Sequence, residues 1–380
     1  MTADAERVAR AALCRLGEPG DPRLGEVVAE LGAVAVRDHL LAPGDLRGLH
    51  ADVAGRLARL DPEADLERAD RRGIRFVIPG DDEWPAQLDD LANVDPLHSR
   101  GGVPLGLWVR GPARLDALGR SVAIVGSRSS TSYGEDIALE LGARLAHEGF
   151  WVVSGAAFGI DQAAHRGALA AAAGSAGTVA VLATGVDRAY PAAHRSLLDY
   201  IAEVGAVVSE AAPGCAPTKV RFLARNRLIA AFSRGTVVVE AAVRSGALNT
   251  ASWAGGLHRA VMGVPGPVTS EPSEGVHELL RCGGATLVTT AEHVLELVGG
   301  SGEHLVEVRR GRVRRRDRLT SRHQQVLDAV PLASPASAVS VARTAGIGLD
   351  EVSSALTSMG QQGLVEELPT GWRLTPLAHD

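Results

Sequence analysis

Ser121-Val122-Ala123-Ile124-Val125-Gly126-Ser127-Arg128 is an unbroken apolar run that stops at a Gly-Ser-Arg turn, and beyond Gly134 the pattern becomes helical. A strand that is apolar on both faces belongs in the middle of a parallel sheet covered by helices. The loop after it opens at the carboxyl edge, where such sheets bind ligands. Six further apolar runs repeat the design: Trp151–Val153, Val179–Leu182, Ala206–Val208, Thr236–Val239, Val261–Val264 and Thr286–Val288. Most are separated by segments with helical spacing, such as Ile137 to Leu145 and Ser196 to Val204. Strand–helix alternation of this kind predicts an α/β fold with a doubly wound, mostly parallel sheet. The strand ends are small and polar: Gly126-Ser127-Arg128, Ser154-Gly155, Ala183-Thr184-Gly185, Ser209-Glu210, Glu240-Ala241 and Pro265-Gly266. They imply a wide, shallow-walled site built mainly from backbone amides.

Around this core, residues 1–70 carry short apolar helical patterns (Val8–Leu16, Leu24–Leu31, Val53–Leu60) punctuated by Gly, Pro and Asp, and read as a small helical domain. Residues 71–298 form the sheet domain, entered through the strand-like pieces Ile74–Ile78 and Leu105–Val109. Residues 299–318 are a linker ending in the basic run Arg309–Arg318, which is either a solvated hinge or a second nucleic-acid contact. Residues 319–380 show three helical patterns and a short strand-turn-strand, Leu364–Glu366 with Gly371–Leu374, the order of a winged helix. The helix that would enter a major groove carries Asp350 and Glu351 and no basic residue, which favours a protein contact over duplex readout.

The formal net charge is −6, so a polyanion must be met by a local patch. Lys219 is the only lysine among 39 basic residues and lies between Thr218 and Val220, which excludes a Gly-Lys-Ser/Thr phosphate loop. Cys14, Cys215 and Cys282 are far apart and odd in number, as expected for reduced thiols and not for a disulfide framework or a metal cluster. Without a run of about 18 apolar residues or a signal-like apolar core, a cytoplasmic protein with no membrane contact is expected.

Three stretches carry chemistry. In Ser154-Gly155-Ala156-Ala157-Phe158-Gly159-Ile160-Asp161, backbone amides at a helix start offer an anion site, with Asp161 either part of it or a helix cap, and His165 either functional or packed. In Lys219-Val220-Arg221-Phe222-Leu223-Ala224-Arg225-Asn226-Arg227, four cations and one aromatic lie within nine residues of a chain that is only 3% aromatic. Cations pair with phosphates and a Phe face stacks any base, the means of holding a single strand without reading its sequence. The alternative is that Arg225 and Arg227 pair internally with Glu210 and Glu240 and that Phe222 is a core residue. In the third, Ser245, Gly246 and Asn249 offer hydroxyl, backbone and amide donors, and Glu240 is either a general base or an arginine anchor.

Together these residues, with Gly185, Tyr190-Pro191, Ser209-Glu210 and Pro265-Gly266 in the same order, resemble the DprA/Smf family (DNA-processing protein A) from about Arg72 to Val298. The resemblance implies a Rossmann-like core, a C-terminal winged helix as in many members, and a protein that is not an enzyme and needs no cofactor. It implies binding and protection of incoming single-stranded DNA, and loading of RecA onto it in natural transformation and recombination. Arg128, Lys219, Phe222 and Asn249 would line the DNA pocket, Gly126, Ser127, Ser154 and Gly155 would supply backbone, and Arg221, Arg225, Asn226, Ser245 and Gly246 complete the set. Members dimerise through this domain, extending the pocket across two subunits. Leu223 stands where the family usually has Pro, and the N-terminal region lacks the family's DNA-binding-like helical signature. The rival reading is a Rossmann-like enzyme that hydrolyses the N-glycosidic bond of nucleoside monophosphates through Glu240. Against it, Pro265-Gly266-Pro267 breaks the Pro-Gly-Gly-x-Gly-Thr phosphate loop of such enzymes. A nucleotide-sensing adaptor would share the pocket without needing the aromatic platform.

Overall fold

The computed structural model describes residues 3–41, 57, 60–171, 176–306 and 314–378. Most of the expected helical pattern Val53–Leu60, and the basic run up to residue 313, lie outside them. The chain divides into two compact units, Met1–Val306 and Glu307–Asp380.

The larger unit holds a sheet of β1 (Ile74–Val77), β2 (Leu107–Arg110), β3 (Ser121–Val125), β4 (Trp151–Ser154), β5 (Thr178–Val181), β6 (Ala206–Ser209), β7 (Gly235–Val238), β8 (Ala260–Gly263) and β9 (Thr286–Leu287). Their spatial order is β1-β2-β6-β5-β4-β3-β7-β8-β9. All pairs from β6 to β9 are parallel, while β1 and β2 form an antiparallel edge. Each of the seven apolar runs is one of these strands. The chain builds outward from β3 through β4, β5 and β6, then returns to place β7 on the other side of β3, with Val125 opposite Val238. This reversal opens a crevice beyond the carboxyl ends of β3 and β7.

Its helices are α1 (Ala3–Leu16), α2 (Pro22–Leu31), α3 (Ala33–Leu41), α4 (Pro62–Asp70), α5 (Ser132–His147), α6 (Ile160–Ala170), α7 (Arg195–Val204), α8 (Lys219–Phe232), α9 (Gly246–Gly256), α10 (Glu271–Arg281) and α11 (Ala291–Val298). Alternation along β3 divides the core. Val122 and Ile124 pack with α5, α6 and α11, whereas Ala123 and Val125 pack with Leu228, Ile229 and Phe232 of α8 and Trp253 of α9. Every residue of β3 is buried, and its one polar side chain, Ser121, donates to Phe232 O at 2.8 Å.

The N-terminal helices, expected as a domain of their own, belong to the same compact unit as the sheet. Arg7 grips both carboxylate oxygens of Asp81, at 2.9 and 2.7 Å, and Arg10 donates to Leu105 O at 2.9 Å. The thiols of Cys14, Cys215 and Cys282 are free, and burial pushes the Cys14 pKa up.

The smaller unit has α12 (Ser321–Ala329), α13 (Ala338–Ala345), α14 (Leu349–Gln361) and an antiparallel hairpin of β10 (Val365–Leu368) and β11 (Gly371–Leu374). Val326, Val352, Leu356, Met359 and Leu364 fill its core. Asp350 and Glu351 are exposed on the first turn of α14. No helix among the described residues is long and apolar enough to cross a membrane.

Candidate nucleic-acid interface

At the crevice between β3 and β7 lies a cleft of about 710 Å³. Gly126-Ser127-Arg128 forms one wall. Glycine is required at 126, because a Cβ there would lie 2.8 Å from Glu240 O, and Ser127 N donates to that same oxygen at 2.7 Å. The turn is thus pinned to the end of β7, and Arg128 projects from it, exposed.

The opposite wall is the start of α8. Thr218 caps the helix, its side chain accepting from Arg221 N at 3.2 Å. Lys219, Phe222 and Asn226 follow at helical spacing on the face that lines the cleft. The Arg128 guanidinium carbon sits 4.9 Å from the Phe222 ring centroid, and the Tyr190 ring lies 5.5 Å from Phe222 on the rim. After β7, Arg244, Ser245 and Gly246 close the cleft at the N-terminus of α9, with the Ser245 hydroxyl accepting from Ala247 N at 3.2 Å. Arg128, Lys219 and Arg244 are exposed and have no carboxylate within ion-pair distance among the described residues. Among the described residues the single acidic residue in the lining, Asp161, is buried. A chain of net charge −6 therefore carries a local cationic surface at this cleft.

Several expected site residues stand elsewhere. Arg221 does not line the cleft: its Nε and Nη2 each donate to the Glu18 carboxylate at 2.9 Å, and Nη1 to Ala216 O at 2.7 Å. Ser154 is buried and donates to Ile124 O at 2.6 Å, and Gly155 N is taken by the Asp161 carboxylate at 3.2 Å, so neither group faces a ligand. Arg225 forms part of the floor and is 6% exposed. It donates to Val181 O at 3.1 Å, and burial pulls its pKa down to about 10 against the opposing charge of Asp161. A Cβ at Gly155 would collide with this guanidinium, which explains the glycine. Asn249 lies behind the wall and accepts at 3.1 Å from Asn226, whose amide also donates to Gly246 O at 3.3 Å, fastening α8 to α9. Arg227 pairs with Glu210, as the internal alternative expects. Glu240 instead accepts from the Thr131 amide at 2.9 Å and from its hydroxyl, and at 1% exposure it reaches no substrate.

Arg244 and Tyr190 are lining residues to which the sequence reading gave no role in the site. Tyr190 was noted only as part of the resemblance, and Arg244 lies just before the Ser245-to-Thr250 stretch; the reversal of strand order brings both to one cleft.

Beneath the floor, Thr178 Oγ1 donates to Val152 O at 2.7 Å, so the His165 Nδ1 at 2.7 Å from that hydroxyl is the donor. Burial, reinforced by His194 and Arg225, holds the His165 pKa down at about 3. Below about pH 6.5 the unfolded chain takes up a proton that the folded chain refuses, so stability falls by about 1.4 kcal/mol per pH unit as pH drops toward 3. Asp161, its carboxyl raised by burial above the ordinary value of 3.8, acts in the opposite sense. Urea midpoints measured between pH 5 and 6.5 should fall with acidity in the parent protein, with a shallower slope in His165→Asn.

A sequence model of the family described as DNA recombination-mediator protein A matches residues 75–299. The chain belongs to this family. The protein named DprA in Mycobacterium tuberculosis is 44% identical over 368 residues, 95% of this chain and 92% of that protein. Protein Smf of Escherichia coli is 40% identical over 223 residues, 58% of this chain and 56% of its own. Among solved structures, DNA processing protein A of Streptococcus pneumoniae superposes with a TM-score of 0.63 at 31% identity, covering 79% of this chain and all (100%) of that one. DNA processing protein A of Helicobacter pylori, whose structure concerns its mode of binding single-stranded DNA, gives a TM-score of 0.50 at 28% identity over 58% of this chain and 94% of that one. The Rossmann-like core with a helical N-terminus is therefore shared with members of the DNA recombination-mediator protein A family.

Proposed function

We propose that the chain binds single-stranded DNA in this cleft, protects it, and loads RecA onto it as a non-enzymatic recombination mediator in the cytoplasm. The observation that carries the reading is the Phe222 ring flanked by Arg128 at 4.9 Å and Tyr190 at 5.5 Å, beside the unpaired cations Lys219 and Arg244. Unpaired bases expose the faces such rings stack on, whereas bases within a duplex do not. The cations meet phosphate, and nothing in the lining requires a particular base edge. The Ser127 and Ser245 hydroxyls and the Gly246 amide supply further polar contacts to the backbone, whereas the Gly126 amide is held by Asp161 and the Ser127 amide by Glu240 O. The single-strand binding mode described for the Helicobacter pylori relative supports the same assignment. Glycosidic hydrolysis has no support here, since the Glu240 carboxylate is committed to Thr131.

Fluorescence anisotropy tests the reading. Affinity for oligo-dT should exceed that for a duplex of equal length. With three unpaired cations meeting phosphate, log affinity should fall with log salt at a slope of about −2. Equal affinity for the duplex, or a slope near zero, would remove the cleft assignment. Dimerisation through the sheet domain is part of the proposal, and sedimentation of the chain with and without oligo-dT measures it. RecA loading predicts that added chain raises the rate at which RecA covers a long single strand. For the C-terminal unit we propose a winged helix that contacts protein, in keeping with Asp350 and Glu351 on its exposed helix start.

A further inference from the structure

The five phenylalanines divide sharply: Phe76, Phe150 and Phe232 are buried, Phe222 is half-buried at the cleft, and Phe158 is 45% exposed. Phe158 lies outside the cleft lining, in the loop between β4 and α6. A lone exposed apolar side chain is ordinary, but this one is held from beneath. Its ring meets the His194 ring edge-on at 4.6 Å and 73°. His194 is itself buried and fixed by its Nδ1, which donates to Ala156 O at 3.0 Å. The loop is also tied to the Arg128 turn, with Ile160 N donating to Ser127 O at 3.2 Å and no room for a Cβ at Gly159 against Ser127 O and the Ser130 hydroxyl. The segment from Tyr190 to His194 therefore joins two aromatic contacts, Tyr190 with Phe222 at the cleft and His194 with Phe158 outside it. Arg188 and Arg195 flank that segment, exposed and with no ion-pair partner among the described residues. Asp187 beside them is occupied, accepting from Gly214 N at 2.8 Å and lying 3.4 Å from Arg72.

We infer that Phe158, with Arg188 and Arg195, forms a second subsite for the same single strand, where a base leaving the cleft past Tyr190 stacks on a preset ring and its phosphates meet the two arginines. This rests on the reading of the cleft as a single-strand site. The occupant follows from continuity with the cleft and from charge: a ring held on His194, on a segment flanked in sequence by two unpaired cations, suits a nucleotide, and stacking on it demands no base identity.

The test compares oligo-dT of about 5 and about 15 nucleotides, lengths that bracket the few nucleotides one small domain covers. Phe158→Ala should weaken the longer strand roughly 5- to 100-fold, the range of one lost stacking contact, and leave the shorter within about twofold. Phe158→Tyr should restore the length dependence. Arg195→Glu should also act on the longer strand alone and make its salt slope shallower by about 0.7. An unchanged gain with length in Phe158→Ala, or an equal loss on both lengths, overturns the subsite while leaving the cleft standing. Failure of the parent protein to bind either strand overturns both readings.

Discussion

Arg128→Glu should lower affinity for oligo-dT by roughly 30- to 1,000-fold, equivalent to about 2–4 kcal/mol, read by anisotropy at low salt. The change removes the cation lying 4.9 Å from the Phe222 ring and puts a carboxylate where Lys219 and Arg244 would otherwise draw a phosphate. Both the stacking geometry and the sign of the local charge are altered at once. The Arg128 side chain is exposed and holds no hydrogen bond to the described residues, so stability should be unchanged. The informative control is Arg221→Glu, on the same helix as Lys219 but outside the cleft lining. Arg221 stands only two residues from Lys219, yet its guanidinium faces Glu18 through two 2.9 Å bonds and reaches no cleft. Its reversal should therefore leave DNA affinity within a few fold, and a loss as large as that of Arg128→Glu would overturn the division of the helix drawn here.

Glu210→Ala should destabilise the larger unit by about 3–5 kcal/mol, a large share of the 5–15 kcal/mol typical of a folded protein, measured as a lower urea midpoint. Arg227 is fully buried and meets both Glu210 oxygens, at 2.7 and 2.8 Å. It also donates to Gly102 O at 3.0 Å and Ala224 O at 2.9 Å, while Gly20 N donates to Glu210 at 3.3 Å. One ion pair thus ties α8 to the end of β6 and to the loops at Gly20 and Gly102. Removing the carboxylate leaves an uncompensated guanidinium in the interior, which costs more than the pair itself contributes. Replacing both partners by apolar residues, Glu210→Leu with Arg227→Met, should recover much of the loss. If the single and double changes cost the same, the stranded charge is not the cause.

The strands were legible because a two-sided buried strand is an unbroken apolar run, and each such run is bounded by small or polar residues. The Gly126-Ser127-Arg128 turn and the Lys219-to-Arg227 stretch were legible for the same reason: glycine, cations and an aromatic are conspicuous in a chain only 3% aromatic. The roles of individual side chains were less so. Ser154 and Gly155 end a strand at the correct edge, but an internal carboxylate, Asp161, already occupies the amide that a ligand would need. Asn249 has donors of the right type, yet it stands behind Asn226.

What the sequence by itself determined is the alternation of buried strands and helices, and hence a parallel sheet with its loops at one edge. The tertiary structure decided which cations of α8 are free. Residues 224–232 of that helix are buried on all sides, so its sequence has no polar face from which an outward direction can be read. Lys219 and Phe222 turn to the cleft, Arg221 to Glu18, Arg225 to the floor and Arg227 to Glu210, according to what packs against each turn. Glu18 comes from between the N-terminal helices α1 and α2, 203 residues before Arg221, and Glu210 from the end of β6, and only tertiary packing brings both to α8.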